Sequence, residues 1–100
     1  MYDIMSINEI RERAIELYLL KRVKERGGLC LKFVSPGWAG VPDRIVILNK
    51  QLAFVEVKRP RGRLSKLQEF TGKILTEQGM RWRVVYTKED VEELINEFYQ

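Results

Sequence analysis

The sequence has no histidine and a single cysteine, Cys30. An intramolecular disulfide, a Cys/His zinc site and acid or base catalysis by imidazole are therefore excluded. Only three prolines and seven glycines interrupt 100 residues, with no Ser/Gly-rich linker and no internal repeat. A chain of that length holds one compact domain, residues 1–100, rather than two. Also lacking is any apolar run near the roughly 18–20 residues that cross a bilayer. The longest, around Arg44 to Leu48, falls far short, and Asp3, Glu9, Arg11 and Glu12 break up any signal-peptide pattern. The expectation is a cytoplasmic protein without a membrane partner.

The remaining composition is that of a folded soluble domain, 45% apolar and 32% charged. Eighteen Lys and Arg against fourteen Asp and Glu leave a net charge of +4. The excess is concentrated in Arg59, Arg61, Arg63 and Lys66, with a second group at Lys21, Arg22, Lys24 and Arg26. A polyanion suits such a distribution, and so does a merely solvated basic surface.

Ser6 followed by Glu9 is a capping-box signal, and apolar side chains at Ile7, Ile10, Ala14, Leu17, Tyr18 and Leu20 to Val23 recur at helical spacing until Gly27 and Gly28. This predicts a long amphipathic helix. Leu29 to Val34 reads as a strand, and residues 35–42 as a Gly/Pro-rich loop leading to Asp43. Two β-rich runs follow, Arg44 to Leu48 and Leu52 to Lys58, separated by a tight turn at Asn49, Lys50 and Gln51 that lacks glycine. Ser65 with Gln68 opens a second helix that ends at Gly79; Trp82 to Tyr86 is a short strand; Thr87 caps a last helix through Val91, Leu94, Ile95 and Phe98. The order is α-β-β-β-α-β-α.

If the hairpin turn holds only Asn49 and Lys50, Leu48 faces Gln51 and Asp43 falls opposite Glu56. Opposed residues on one sheet face have Cβ atoms roughly 4.5–5.5 Å apart, and bare like charges there are destabilising. A hard divalent cation, Mg²⁺ or Mn²⁺, is a natural occupant of the space between two carboxylates, with water and phosphate completing its shell. Strand alternation points Glu56 and Lys58 to the same face and Val57 into the core, leaving the Val57 carbonyl free to face a metal. Lys58 is then placed to orient the attacking water and to offset charge developing on a phosphate. The plainer reading is that Asp43 caps a turn after Pro42 and Glu56 pairs with Lys58 on a solvated strand.

Gly40-Val41-Pro42-Asp43 followed by Phe54-Val55-Glu56-Val57-Lys58 resembles the PD-(D/E)xK nuclease signature. More narrowly, the chain resembles standalone, virus-type members of the VRR-Nuc family. That resemblance extends from the helix with Glu16, through Gly27-Gly28 and Leu31-Lys32-Phe33, to Leu64-Ser65, Gln68 and Gly79. It implies an α/β restriction-endonuclease-like core, a mixed central sheet flanked by helices. It implies Asp43, Glu56 and Lys58 as the catalytic set and Gln68 as an accessory residue. Glu16, preferred over Glu9 and Glu12 for its distance from Gly27, would be the helix carboxylate that binds metal or orients water. Lys32 would lie near the same cleft. It further implies a Mg²⁺- or Mn²⁺-dependent DNA endonuclease acting as a homodimer on four-way (Holliday) junctions.

Gln68 is also the third residue of a capping box, a role that competes for the same side chain. Trp38, on the loop before Asp43, is placed either to stack on an unpaired base or to cover the edge of the core. Arg59, Arg61, Arg63 and Lys66 follow the catalytic strand, where they can hold phosphates without reading sequence. The apolar face of the last helix, or Leu and Tyr residues of the first, are the expected dimer surfaces. Two further readings compete: a DNA-binding module without catalysis, and a nuclease subunit of a restriction or repair assembly that is inactive alone.

Overall fold

The structure, a computed structural model, describes residues 5–100; Asp3 lies outside them. Its elements are α1 (Ile7–Glu25), β1 (Leu29–Lys32), β2 (Arg44–Leu48), β3 (Gln51–Val57), α2 (Lys66–Glu77), β4 (Arg81–Val85) and α3 (Lys88–Glu97). The predicted order holds, with strand ends displaced by one or two residues. The four strands form one mixed sheet in sequential order, antiparallel from β1 to β3 and parallel between β3 and β4. No helix among the described residues is long and apolar enough to cross a membrane.

The hairpin turn holds the two residues Asn49 and Lys50, both with positive φ, 50° and 62°. Such a turn matches the right-handed twist of its strands, and here it forms without glycine. It sets the register Leu48 to Gln51, Ile47 to Leu52, Val46 to Ala53 and Ile45 to Phe54. Ser65 and Gln68 close a full capping box on α2, and Ser6 and Thr87 cap α1 and α3 through the amides of Glu9 and Asp90.

One sheet face carries the core. Val46, Leu48, Ala53, Val55, Val57 and Val85 pack there against Ile15, Leu19 and Val23 of α1 and Val91, Leu94, Ile95 and Phe98 of α3. The buried stripe of α1 thus advances four residues at a time from Ile15, whereas Ile7, Ile10 and Leu17, expected on an inward face, are exposed. The apolar face of α3 is consumed by the core and is unavailable as a dimer surface, a correction to the expectation from sequence. Tyr18 and Arg22 of α1 join Glu92 of α3 through hydrogen bonds of 2.7–3.0 Å, clamping the two helices.

On the other face α2 lies against β4. Gly72 permits this contact, because a Cβ there would overlap the Trp82 indole. Gly40 similarly lets the loop before Asp43 approach α2: its φ is +83°, and a Cβ would come within 2.8 Å of the Leu67 backbone.

Candidate active site

Extending the β2–β3 register by one residue places Asp43 opposite Glu56. The Phe33 amide donates to the Asp43 carbonyl at 3.0 Å, tying the residue to the end of β1. Buried Pro42 anchors it from the other side. The carboxylate itself accepts the Val57 N–H through Oδ2 at 2.8 Å. Asp43 is therefore fixed by three strands, and the reading of it as a turn cap is replaced by a cross-strand role.

Glu56 is only 2% exposed, which removes the reading of a solvated strand carboxylate. Its Oε1 accepts a hydrogen bond from Gln68 Nε2 at 3.1 Å. Burial, reinforced by a hydrogen bond and like charge from Asp43, pushes its carboxyl up to about 9, with Lys58 opposing. Glu56 thus sits beside a second carboxyl in a dry corner, where opposing positive charge is favoured. Lys58 continues the strand, its N–H bonded to the Val85 carbonyl at 2.9 Å, and enters none of the ion pairs found among the described residues. Val57 is buried, as strand alternation requires.

Gln68 does both jobs that competed in the sequence. Its Oε1 accepts the Ser65 N–H at 2.8 Å while its Nε2 reaches Glu56. The amide has one acceptor and two donors, so the cap uses the oxygen and the site uses the nitrogen. The first turn of α2 is thereby bolted to Glu56.

Glu16, selected from spacing, is held elsewhere. Its Oε2 takes two nitrogens of Arg44, both at 3.0 Å, in a half-buried ion pair beside Cys30. Glu12 is the α1 carboxylate facing the site: burial raises its pKa, and Lys58, Asp43 and Arg59 all act on it electrostatically. The two glutamates lie on one helical stripe, so sequence periodicity cannot separate them; the crossing point of α1 over the sheet does. Burial also pushes the Cys30 thiol up to about 11, leaving it unreactive at neutral pH.

Arg59 to Gly62 form a tight turn closed by Gly62 N–H to Arg59 carbonyl at 2.8 Å, with Arg61 at φ 64°. Arg61, Arg63 and Lys66 are exposed on this segment between β3 and α2. Lys32 pairs with Arg44, so its exposed side chain belongs to the face toward α1 and not to the face of Glu56. Trp38 is 49% exposed, its indole N–H bonded to Thr71 Oγ1 at 3.0 Å. It roofs an apolar recess of about 270 Å³ together with Phe33, Pro42, Phe54 and Ile74.

The family model described as VRR-NUC domain matches residues 30–89. The chain belongs to the VRR-NUC domain family. A solved VRR-NUC domain superposes with a TM-score of 0.80 at 28% identity, covering 86% of this chain and 95% of that one. A protein of Acyrthosiphon pisum secondary endosymbiont phage 1, named "Putative nuclease p44", is 54% identical over 52 residues, 51% of this chain and 56% of its own length. The match therefore spans little more than half of that curated relative. The VRR-NUC segment contains Asp43, Glu56, Lys58 and Gln68, while α1 lies outside it, so Glu12 is singled out by the fold alone.

The donor set fits a hard cation. Among the described residues no group of three or more His, Cys, Asp or Glu side chains is arranged to hold a metal ion. Two carboxylates remain, the number by which Mg²⁺ is commonly held when water and phosphate supply the rest.

Proposed function

We propose that this VRR-NUC chain is a metal-dependent, structure-selective DNA endonuclease that cuts phosphodiester bonds in four-way junctions as a homodimer. The observation that carries the chemistry is the buried Glu56, set opposite Asp43 and gripped by Gln68 beside Lys58, which enters no ion pair among the described residues. Burial of an uncompensated carboxyl is costly in a structural role, and a divalent cation relieves it.

In this reading Asp43 and Glu56 hold Mg²⁺ or Mn²⁺, with the Val57 carbonyl beside them. The ion, when bound, supplies Lewis acidity toward the phosphoryl group and an activated water. Gln68 restrains the Glu56 carboxylate, and the Val57 amide restrains that of Asp43. Lys58 offsets charge that develops on the phosphate, and Glu12 accepts a hydrogen bond from the attacking water. Arg59, Arg61, Arg63 and Lys66 hold flanking phosphates, an interaction that gives affinity without sequence preference. Lys32 contacts a more distant strand, and the exposed side of Trp38 stacks on an unpaired base.

The test is cleavage of end-labelled four-way junction, flap, linear duplex and single-stranded DNA in Mg²⁺, Mn²⁺ or EDTA, with Asp43→Ala and Lys58→Ala as controls. Metal-dependent cutting of the junction, lost in both variants, is expected. Binding without cutting in any metal would instead favour a subunit or binding module of a larger assembly.

A further inference from the structure

The second basic group of the chain, Lys21, Arg22, Lys24 and Arg26, is only half used by the fold. Arg22 is held by Glu92 and Glu25, and Arg26 lies over the Tyr99 ring at 4.5 Å. Lys21 and Lys24 are exposed and enter no ion pair among the described residues. They stand on the rim of an open groove of about 600 Å³ between α1 and β1. Leu20 of α1 and Leu29, Cys30 and Leu31 of β1 form its apolar floor, and among the described residues no acidic side chain lines it.

The same groove runs along an outer strand, since among the described residues nothing lies beyond β1 in the sheet order. The Phe33 amide donates to the Asp43 carbonyl, and in an antiparallel pair alternate residues turn their backbone groups toward the partner. Leu29, Leu31 and Phe33 therefore bond to β2, while the N–H and C=O groups of Cys30 and Lys32 point outward along the edge. No backbone hydrogen bond reaches those outward groups among the described residues. Sheet edges are ordinarily defended by proline, bulges or charge. Here Lys32 is the one charged residue of β1, and Leu29 at 55% and Leu31 at 44% are exposed beside the unpaired main chain. Free backbone groups, an apolar floor and a rim of one charge sign together make a slot for an added strand.

We propose that an extended acidic segment of a partner protein adds to the outer edge of β1, with its carboxylates on Lys21 and Lys24. Side chains of an added strand alternate: those on the α1 side meet the lysines, and those on the other side lie beside Leu29 and Leu31. The fitting pattern is acidic and apolar residues in alternation. Nucleic acid suits the slot poorly, because phosphates gain nothing from an apolar floor and cannot donate to the free carbonyls of a strand. A second copy would bring a β1 without acidic residues and its own Lys21 and Lys24, so like charges oppose it. Docking is independent of cleavage: Leu29 pairs with Ile47, four residues along β2 from Asp43, a separation of roughly 13 Å.

Fluorescence anisotropy of the labelled peptide Glu-Val-Glu-Val-Glu-Val-Glu, together with backbone amide hydrogen exchange of the full chain, tests this without reference to cleavage. The peptide is expected to bind saturably and to slow exchange of the Cys30 and Lys32 amides, whereas Lys-Val-Lys-Val-Lys-Val-Lys should do neither. Lys21→Glu/Lys24→Glu should weaken binding about tenfold. Both lysines are exposed, so far-UV circular dichroism should be unchanged. No binding at millimolar peptide, binding that survives the double substitution, or binding without protection of the two amides would each overturn the proposal. Protection of the same amides in the free protein as its concentration rises would overturn it in favour of a second copy. Their protection by a thymidine oligonucleotide would overturn it in favour of nucleic acid.

Discussion

Replacing Glu56 by glutamine should stabilise the fold at alkaline pH while removing its response to divalent cations. The carboxyl titrates near 4.5 in the unfolded chain and at about 9 in the fold. Between those values the folded state holds a proton that the unfolded state has lost. The contribution of Glu56 to stability is thus fully present below pH 4.5 and falls as pH rises toward 9. At about 1.4 kcal/mol per unit the ceiling is about 6 kcal/mol, and relaxation of the surroundings about the charged form reduces the expected loss to about 2–3 kcal/mol. Glutamine carries no charge at any pH. Its carbonyl can still accept from Gln68, and its NH₂ can donate to Asp43. Urea unfolding from about pH 5 to about pH 8, with Mn²⁺ or with EDTA, reads both effects. Wild type should lose stability with rising pH in EDTA and regain about 2.7 kcal/mol at Mn²⁺ a hundredfold above its Kd. The variant should show neither. Parallel pH profiles for the two proteins, or an equal Mn²⁺ response, would refute the argument that these carboxyls are coupled and await a cation.

The two α1 glutamates should separate cleanly: Glu16→Gln leaves Arg44 without its partner and costs about 1–3 kcal/mol in urea unfolding with cleavage retained. Glu12→Gln should leave stability within about 0.5 kcal/mol and lower the cleavage rate; the reverse pattern would restore Glu16 to the site. Gly72→Ala drives a methyl into the Trp82 indole and should cost about 1–3 kcal/mol, read as a lowered thermal midpoint. Glu92 is held down to about 2 by hydrogen bonds from Arg22 and Tyr18, so its clamp stabilises the fold above pH 4.5 and is lost as pH falls toward 2. Glu92→Gln should therefore cost about 1 kcal/mol at neutral pH and progressively less in acid, and a cost that is constant with pH would count against it.

Much of the site was legible because it depends on local rules. A two-residue turn dictates the hairpin register, the register dictates that Asp43 meets Glu56, and alternation dictates that Lys58 shares their face. Ser65 and Gln68 announced their capping box for the same reason: every partner lies within three residues. Less legible was any feature that required knowing where one element crosses another. Glu12 and Glu16 occupy one helical stripe, and the apolar recurrence read through Ile7, Ile10 and Leu17 passes over Ile15 and Leu19, which the fold buries.

The sequence by itself determined the element order, the opposed carboxylates and the basic segment after them, since turn length, periodicity and capping act between near neighbours. The tertiary structure alone decided which glutamate of α1 faces Asp43 and Glu56, and that Gln68 bonds to its cap and to Glu56 together. Those outcomes depend on the crossing of α1 and the seating of α2 on Gly72 and Trp82, and such contacts between distant segments have no local signature in the chain.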